Sequence, residues 1–209
     1  MTDRDEIAAW LRLILTPQLG RESARQLLAG LGSAQGVWEA SPGAWRDVLG
    51  ARKAASIGPA PADLEPRIDA TLAWLAGSGD RHFIVLGDPR YPTPLLHAPD
   101  PPLVLHAEGA CERLGSDSIA IVGSRHPTPQ GEEHARGFAR HLGRAGLQVV
   151  SGLARGIDAA AHRGALEGSG GTVAVVGTGL DTVYPRCHAR LAGDIVAGGG
   201  VMLSEYGLG

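Results

Sequence analysis

The chain has 209 residues, room for one large domain or two small ones, and at 44% hydrophobic residues it can bury a core, which excludes wholesale disorder. Its 31 glycines, about 15% of the chain and roughly twice average usage, follow no G-X-Y period and so exclude collagen. The net charge is −3, and Lys53 is the one lysine among 19 basic residues; a globally basic coat is excluded, but a local arginine site is not, because a guanidinium fork suits phosphate better than an ammonium.

Residues 1–80 read as a helical domain. Ile7, Trp10, Leu11, Ile14 and Leu15 recur at helical spacing, and a longer helix is predicted from Ala62 to Ala76 with Leu64, Ile68, Leu72 and Leu75 on one face. The stretch Trp10–Leu15 is broken by Arg12 and preceded by acids, so it fits neither a signal peptide nor a membrane span. Two similar phrases, Leu19-Gly20-Arg21-Glu22-Ser23-Ala24 and Leu49-Gly50-Ala51-Arg52-Lys53-Ala54, each place glycine before a helix and a small residue four positions later. That is the spacing of a helix-hairpin-helix, and equally of helices packed closely without DNA.

Residues 81–115 hold six of the 14 prolines. Short apolar runs at Phe83–Leu86 and Leu103–His106 are bounded by these breakers, so the segment reads as a connector that adds edge strands to the next domain.

From residue 116 to 209 the rhythm changes. Ile119–Val122, Leu147–Val150, Thr172–Val176 and Val201–Leu203 are apolar runs of buried-strand length, separated by segments of helical spacing. The pattern predicts an α/β domain of Rossmann type: a mainly parallel sheet with helices on both faces.

In such a sheet ligands bind beyond the carboxyl ends of the strands, where helix N-termini present amides to anions. Here the strand exits read Gly123-Ser124-Arg125, Ser151-Gly152-Leu153-Ala154-Arg155-Gly156 and Gly177-Thr178-Gly179, and they are predicted to converge on one cleft. Ser124 and Ser151 offer hydroxyls, Arg125 and Arg155 offer phosphate forks, and Gly123, Gly152, Gly177 and Gly179 let the backbone approach a ligand. The chemistry on offer is anion binding.

Other chemistries find less support. Gly177-Thr178-Gly179-Leu180-Asp181-Thr182 lacks the third glycine of a dinucleotide fingerprint, and no G-x-x-x-x-G-K-[ST] loop exists. Ser151, Asp158 and His162 form a serine, carboxylate and imidazole set on paper, but an Asp in the first turn of a helix is more simply a cap, and no oxyanion site accompanies it. Cys187-His188 supplies too few ligands for a metal. Cys111 and Cys187 form no C-x-x-C pair, the usage of a reduced cytosolic protein.

Several motifs in fixed order resemble the DNA-processing protein A (DprA, also called Smf) family. They are Ile121-Val122-Gly123-Ser124-Arg125 with Pro127-Thr128; Ser151 to His162; Val176-Gly177-Thr178-Gly179-Leu180-Asp181 with Tyr184-Pro185; and Leu203-Ser204-Glu205-Tyr206. Gly87-Asp88-Pro89, Tyr91-Pro92 and Asp100-Pro101-Pro102 in the connector agree with it. The resemblance implies a sterile-alpha-motif-like helical domain joined to an extended Rossmann fold, in a cytoplasmic protein of natural transformation. It implies binding and protection of incoming single-stranded DNA, help in loading the RecA recombinase, no membrane, no cofactor, no metal and no catalytic activity. The family's phosphate pocket falls on Gly123, Ser124 and Arg125, with Ser151 and Gly152 beside it.

Two departures stand out. His188 occupies a position where the family usually has asparagine, and the chain stops at Gly209, before the family's aromatic and arginine-bearing segment and the C-terminal portion that makes the full-length protein a homodimer. The expectation is therefore a fragment, truncated within the Rossmann-like domain, with Val201–Leu203 or a neighbouring strand left as an unpaired edge. The alternative is a Rossmann enzyme of the nucleoside-monophosphate phosphoribohydrolase type, of which Gly198-Gly199-Gly200 and Glu205 are a faint echo.

Overall fold

The computed structural model describes residues 3–209. Helices α1 (Arg4–Leu15), α2 (Arg21–Leu31), α3 (Ala34–Glu39), α4 (Pro42–Leu49), α5 (Ala51–Ala54) and α6 (Leu64–Ala76) come first. Their starts carry the expected chemistry: Asp3, Ser33 and Ser41 each cap a helix by accepting a backbone N–H. The predicted apolar stripe of α1 is buried at Ile7, Trp10 and Leu11. Ala24 and Ala54, the small residues of the two glycine phrases, are both buried, and the second phrase opens a helix of only four residues. In this structure both phrases serve helix packing.

The sheet is built from β1 (Arg81–Val85), β2 (Val104–Gly109), β3 (Ser118–Ala120), β4 (Gln148–Ser151), β5 (Thr172–Val175) and β6 (Val201–Ser204) in the order β1-β2-β6-β5-β4-β3. Strands β3 to β6 are parallel, and β2 runs against them, pairing antiparallel with both β6 and β1. Helices α7 (Pro129–Arg144), α8 (Ile157–Leu166) and α9 (Ala189–Ala197) complete the α/β layers.

Alternation along the strands divides the core between two faces. Phe83 and Val104 point into the cluster built by the first helices, while Ala174 and Met202 pack with Ile195 of α9. On the other face Ile84, Leu105, Val173, Val201 and Leu203 pack with Tyr91, Cys111 and Leu114 from the connector and its short 3₁₀ helices at Thr93–His97 and Cys111–Gly115. The first helices thus share a core with β1 and β2. Arg21 reinforces the junction through an ion pair to Glu205 at 2.8 Å, and Arg67 through a hydrogen bond to the carbonyl of Leu208.

Two strand expectations need correction. The unpaired edge is not Val201–Leu203: the antiparallel β2 occupies that side of β6, so β6 is internal and all four of its residues are buried. The edges are β1 and β3. The run Ile119–Val122 is not a buried strand either, since β3 ends at Ala120 and its three residues are exposed. With β4 as its single neighbour, β3 is covered on one side only, and the carbonyl of Ile121 is taken instead by the Ser151 hydroxyl at 2.6 Å.

Candidate functional site

The parallel strands place their carboxyl ends along one rim, and the loops leaving β3, β4 and β5 meet there. Arg125, Gly152, Arg155 and Gly177 of the predicted set line one open cleft of about 750 Å³. Thr178 of the predicted third exit lines it as well, and so do two residues that the sequence reading did not assign to the cleft, Tyr184 and Arg186. Tyr184-Pro185 entered the sequence reading only as part of the family resemblance, and nothing in it signals that the chain returns to the cleft at Arg186.

Glycines set the loop geometry chiefly by letting loop meet loop. Gly156 has φ +77°, and a Cβ on it would collide with the Ser124 carbonyl and lie 2.6 Å from Pro127 Cδ. The amide of Ile157 donates to that same Ser124 carbonyl at 3.2 Å, so the β3 and β4 exits are fixed together. A Cβ on Gly123 would sit 2.8 Å from Ile157 Cγ1. Gly179 abuts the Gly207 carbonyl and lies away from the cleft lining. Gly177 alone of the predicted glycines has open space at its Cβ position.

The two hydroxyls differ. Ser151 is buried and ties β4 to the chain after β3, whereas Ser124 Oγ accepts the amide of His126 at 3.0 Å and stays exposed beside Arg125.

Charge selects the cleft. Of the eight arginines in residues 115–209, Arg136, Arg140, Arg163 and Arg190 are ion-paired to carboxylates, and Arg144 ends α7. The remaining three, Arg125, Arg155 and Arg186, are exposed, lie in the cleft, and have no ion pair among the described residues. A guanidinium without a carboxylate keeps its full fork for an incoming phosphate.

The serine, carboxylate and imidazole set does not assemble. Asp158 is buried and accepts the Ala154 amide, which closes the β4 loop over the start of α8. His162 lies in the core against Thr172, with Nδ1 at 2.8 Å from Oγ1, and burial holds its imidazolium pKa at about 4. The echo of a phosphoribohydrolase is likewise split. Gly198–Gly200 precedes β6, at the far end from the cleft, while Glu205 follows β6 and is paired with Arg21. No cluster of three or more metal-ligating side chains occurs among the described residues, and no helix there is long and apolar enough to cross a membrane.

Fold and cleft together define a Rossmann-like α/β protein with a helical N-terminal region and an arginine-lined cleft at its strand exits. The family described as DNA recombination-mediator protein A matches residues 82–209, and the chain belongs to it. It is 42% identical to Protein Smf of Escherichia coli over 141 residues, which are 68% of this chain and 37% of that protein. The chain thus spans well under half the length of that relative. Among solved structures, DNA processing protein A of Streptococcus pneumoniae superposes on all of this chain and 69% of its own, with TM-score 0.71 and 31% identity. DNA processing protein A of Helicobacter pylori, whose structure is described for its single-stranded DNA binding mode, matches 60% of this chain and 56% of its own, with TM-score 0.53 and 31% identity.

Proposed function

We propose that the chain binds single-stranded DNA through its sugar-phosphate backbone, with Arg125, Arg155 and Arg186 as the phosphate forks and Ser124, Gly152 and Gly177 shaping the floor between them. The observation that carries this reading is the convergence of three arginines lacking ion pairs on one strand-exit cleft in a chain whose net charge is negative. Membership of the recombination-mediator family and the single-stranded DNA described for the H. pylori relative support it. The role is binding, not catalysis, in the cytoplasm.

The protein is proposed to act as a homodimer, in which the bound strand would be protected and handed to the RecA recombinase during transformation and recombination. Residues 1–80 would form the helical domain, 81–115 the connector and 116–209 the DNA-binding domain.

The test is fluorescence anisotropy of a labelled oligothymidylate titrated with wild type, Arg125→Ala and Arg155→Ala. Loss of a charge-assisted fork predicts affinity about tenfold or more weaker. Isotherms that coincide with wild type for both variants refute the assignment.

A further inference from the structure

Exposed Phe, Trp and Tyr rings are scarce in this chain. Among the described residues they are Phe138, Tyr184 and Tyr206, at 66%, 67% and 52% exposure. Phe138 stands on the outer side of α7 and Tyr206 faces the groove beside α1, so Tyr184 is the one that borders the arginine cleft. It also borders a second depression of about 320 Å³, apolar in character, lined by Leu153, Val176, Leu180, Val183 and Met202. The ring therefore marks the boundary between a surface suited to phosphate and one suited to an apolar ring. Its hydroxyl has no hydrogen-bond partner among the described residues, so no bond commits the side chain to a packing role.

The backbone that carries Tyr184 is held firmly. Four residues on, His188 is buried and its Nδ1 bonds to the carbonyl of Leu153 at 2.8 Å, which pins the segment to the β4 exit between Gly152 and Arg155. Arg186, two residues from the ring, lies in the same cleft as Arg125 and Arg155.

We infer that Tyr184 is a base-stacking platform: a nucleotide whose phosphate is gripped by the arginines lays its base on the exposed ring at the edge of the apolar depression. This inference rests on the reading of the cleft as a DNA phosphate site. It adds a specificity that phosphate contacts do not give, because a ring face accepts any unstacked base but not one stacked within a duplex. The ligand class is an unpaired nucleotide within a strand, with no preference among base identities.

The experiment compares two oligomers of equal length and charge, an oligothymidylate and an abasic deoxyribose-phosphate chain, against wild type, Tyr184→Ala, Tyr184→Phe, Phe138→Ala and Arg125→Ala. Wild type is expected to hold the oligothymidylate about tenfold more tightly than the abasic chain. Tyr184→Ala should lose that ratio while holding the abasic chain as wild type does, and both Tyr184→Phe and Phe138→Ala should keep it. A wild type that binds both oligomers alike, or a Tyr184→Ala variant that retains the full ratio, overturns the platform. Failure of the underlying reading shows separately, as an Arg125→Ala variant that binds the abasic chain as well as wild type does.

Discussion

His188 Nδ1 donates to the carbonyl of Leu153 at 2.8 Å, and the bond joins two loops that both contribute residues to the arginine cleft. Leu153 needs that support. It is a non-glycine residue with φ +58° and a fully buried side chain, a conformation that persists only where surrounding structure fixes it. Replacing His188 by alanine leaves a buried carbonyl without its donor, so a loss of about 1 to 3 kcal/mol in unfolding free energy is expected from urea denaturation. Oligonucleotide affinity should fall as well, although His188 touches no ligand. Unchanged stability in His188→Ala would mean that the bond does not hold the loops.

Salt dependence counts the forks. Each phosphate neutralised on a single strand contributes about −0.7 to the slope of log K against log salt, so three arginines predict a slope near −2. Arg186→Ala should bring the slope about 0.7 closer to zero. Arg163→Ala, which removes a residue already facing Glu132 at 3.8 Å, should leave it unaltered. A slope equal in Arg186→Ala and wild type places that arginine outside the binding surface.

These side chains show which parts of the site are legible in sequence. The parallel sheet, its helices and the cleft at the strand exits follow from apolar runs alternating with helical periodicity, a local signal. Arg125 and Arg155 could be picked out because they follow strands directly. Arg186 and Tyr184 could not, since they reach the cleft through a hydrogen bond between residues 35 positions apart. The place of β6 inside the sheet escaped for a similar reason: pairing between β2 and β6 is long-range, and neither strand announces its neighbour. That the Ser151 hydroxyl donates to the carbonyl of Ile121 could not be read from the sequence either, because the contact joins residues 30 positions apart.

Two glycines of the cleft loops should respond differently to an added methyl. At Gly156 alanine meets both a positive φ and the backbone of Ser124 and Arg125, neither of which can yield cheaply, so a loss of about 2 kcal/mol or more is expected with weaker DNA binding. At Gly177 the corresponding space is open and φ is ordinary, so Gly177→Ala should stay within about 0.5 kcal/mol of wild type. The pair is read by thermal unfolding, and equal melting temperatures for the two variants would contradict the loop packing described.

Acid sensitivity should come from two buried imidazoles. His106 is wedged between Trp74 and Phe83 with neither ring nitrogen bonded, and His162 has Nε2 without a partner; burial lowers both to about 4, with His188 adding repulsion at His162 and Asp181 opposing the shift at His106. An unfolded histidine titrates near 6.5, so between pH 6.5 and 4 the unfolded chain binds more protons than the folded one. Stability is therefore fully present above pH 6.5 and is lost as pH falls towards 4, by up to about 3 kcal/mol for each ring. His106→Leu removes one of these rings and its unsatisfied nitrogens, so the variant should lose less stability between pH 7.5 and 4.5 than wild type. Urea midpoints across that range decide the matter, and parallel pH profiles for the two proteins would show that His106 is not a source of the acid sensitivity.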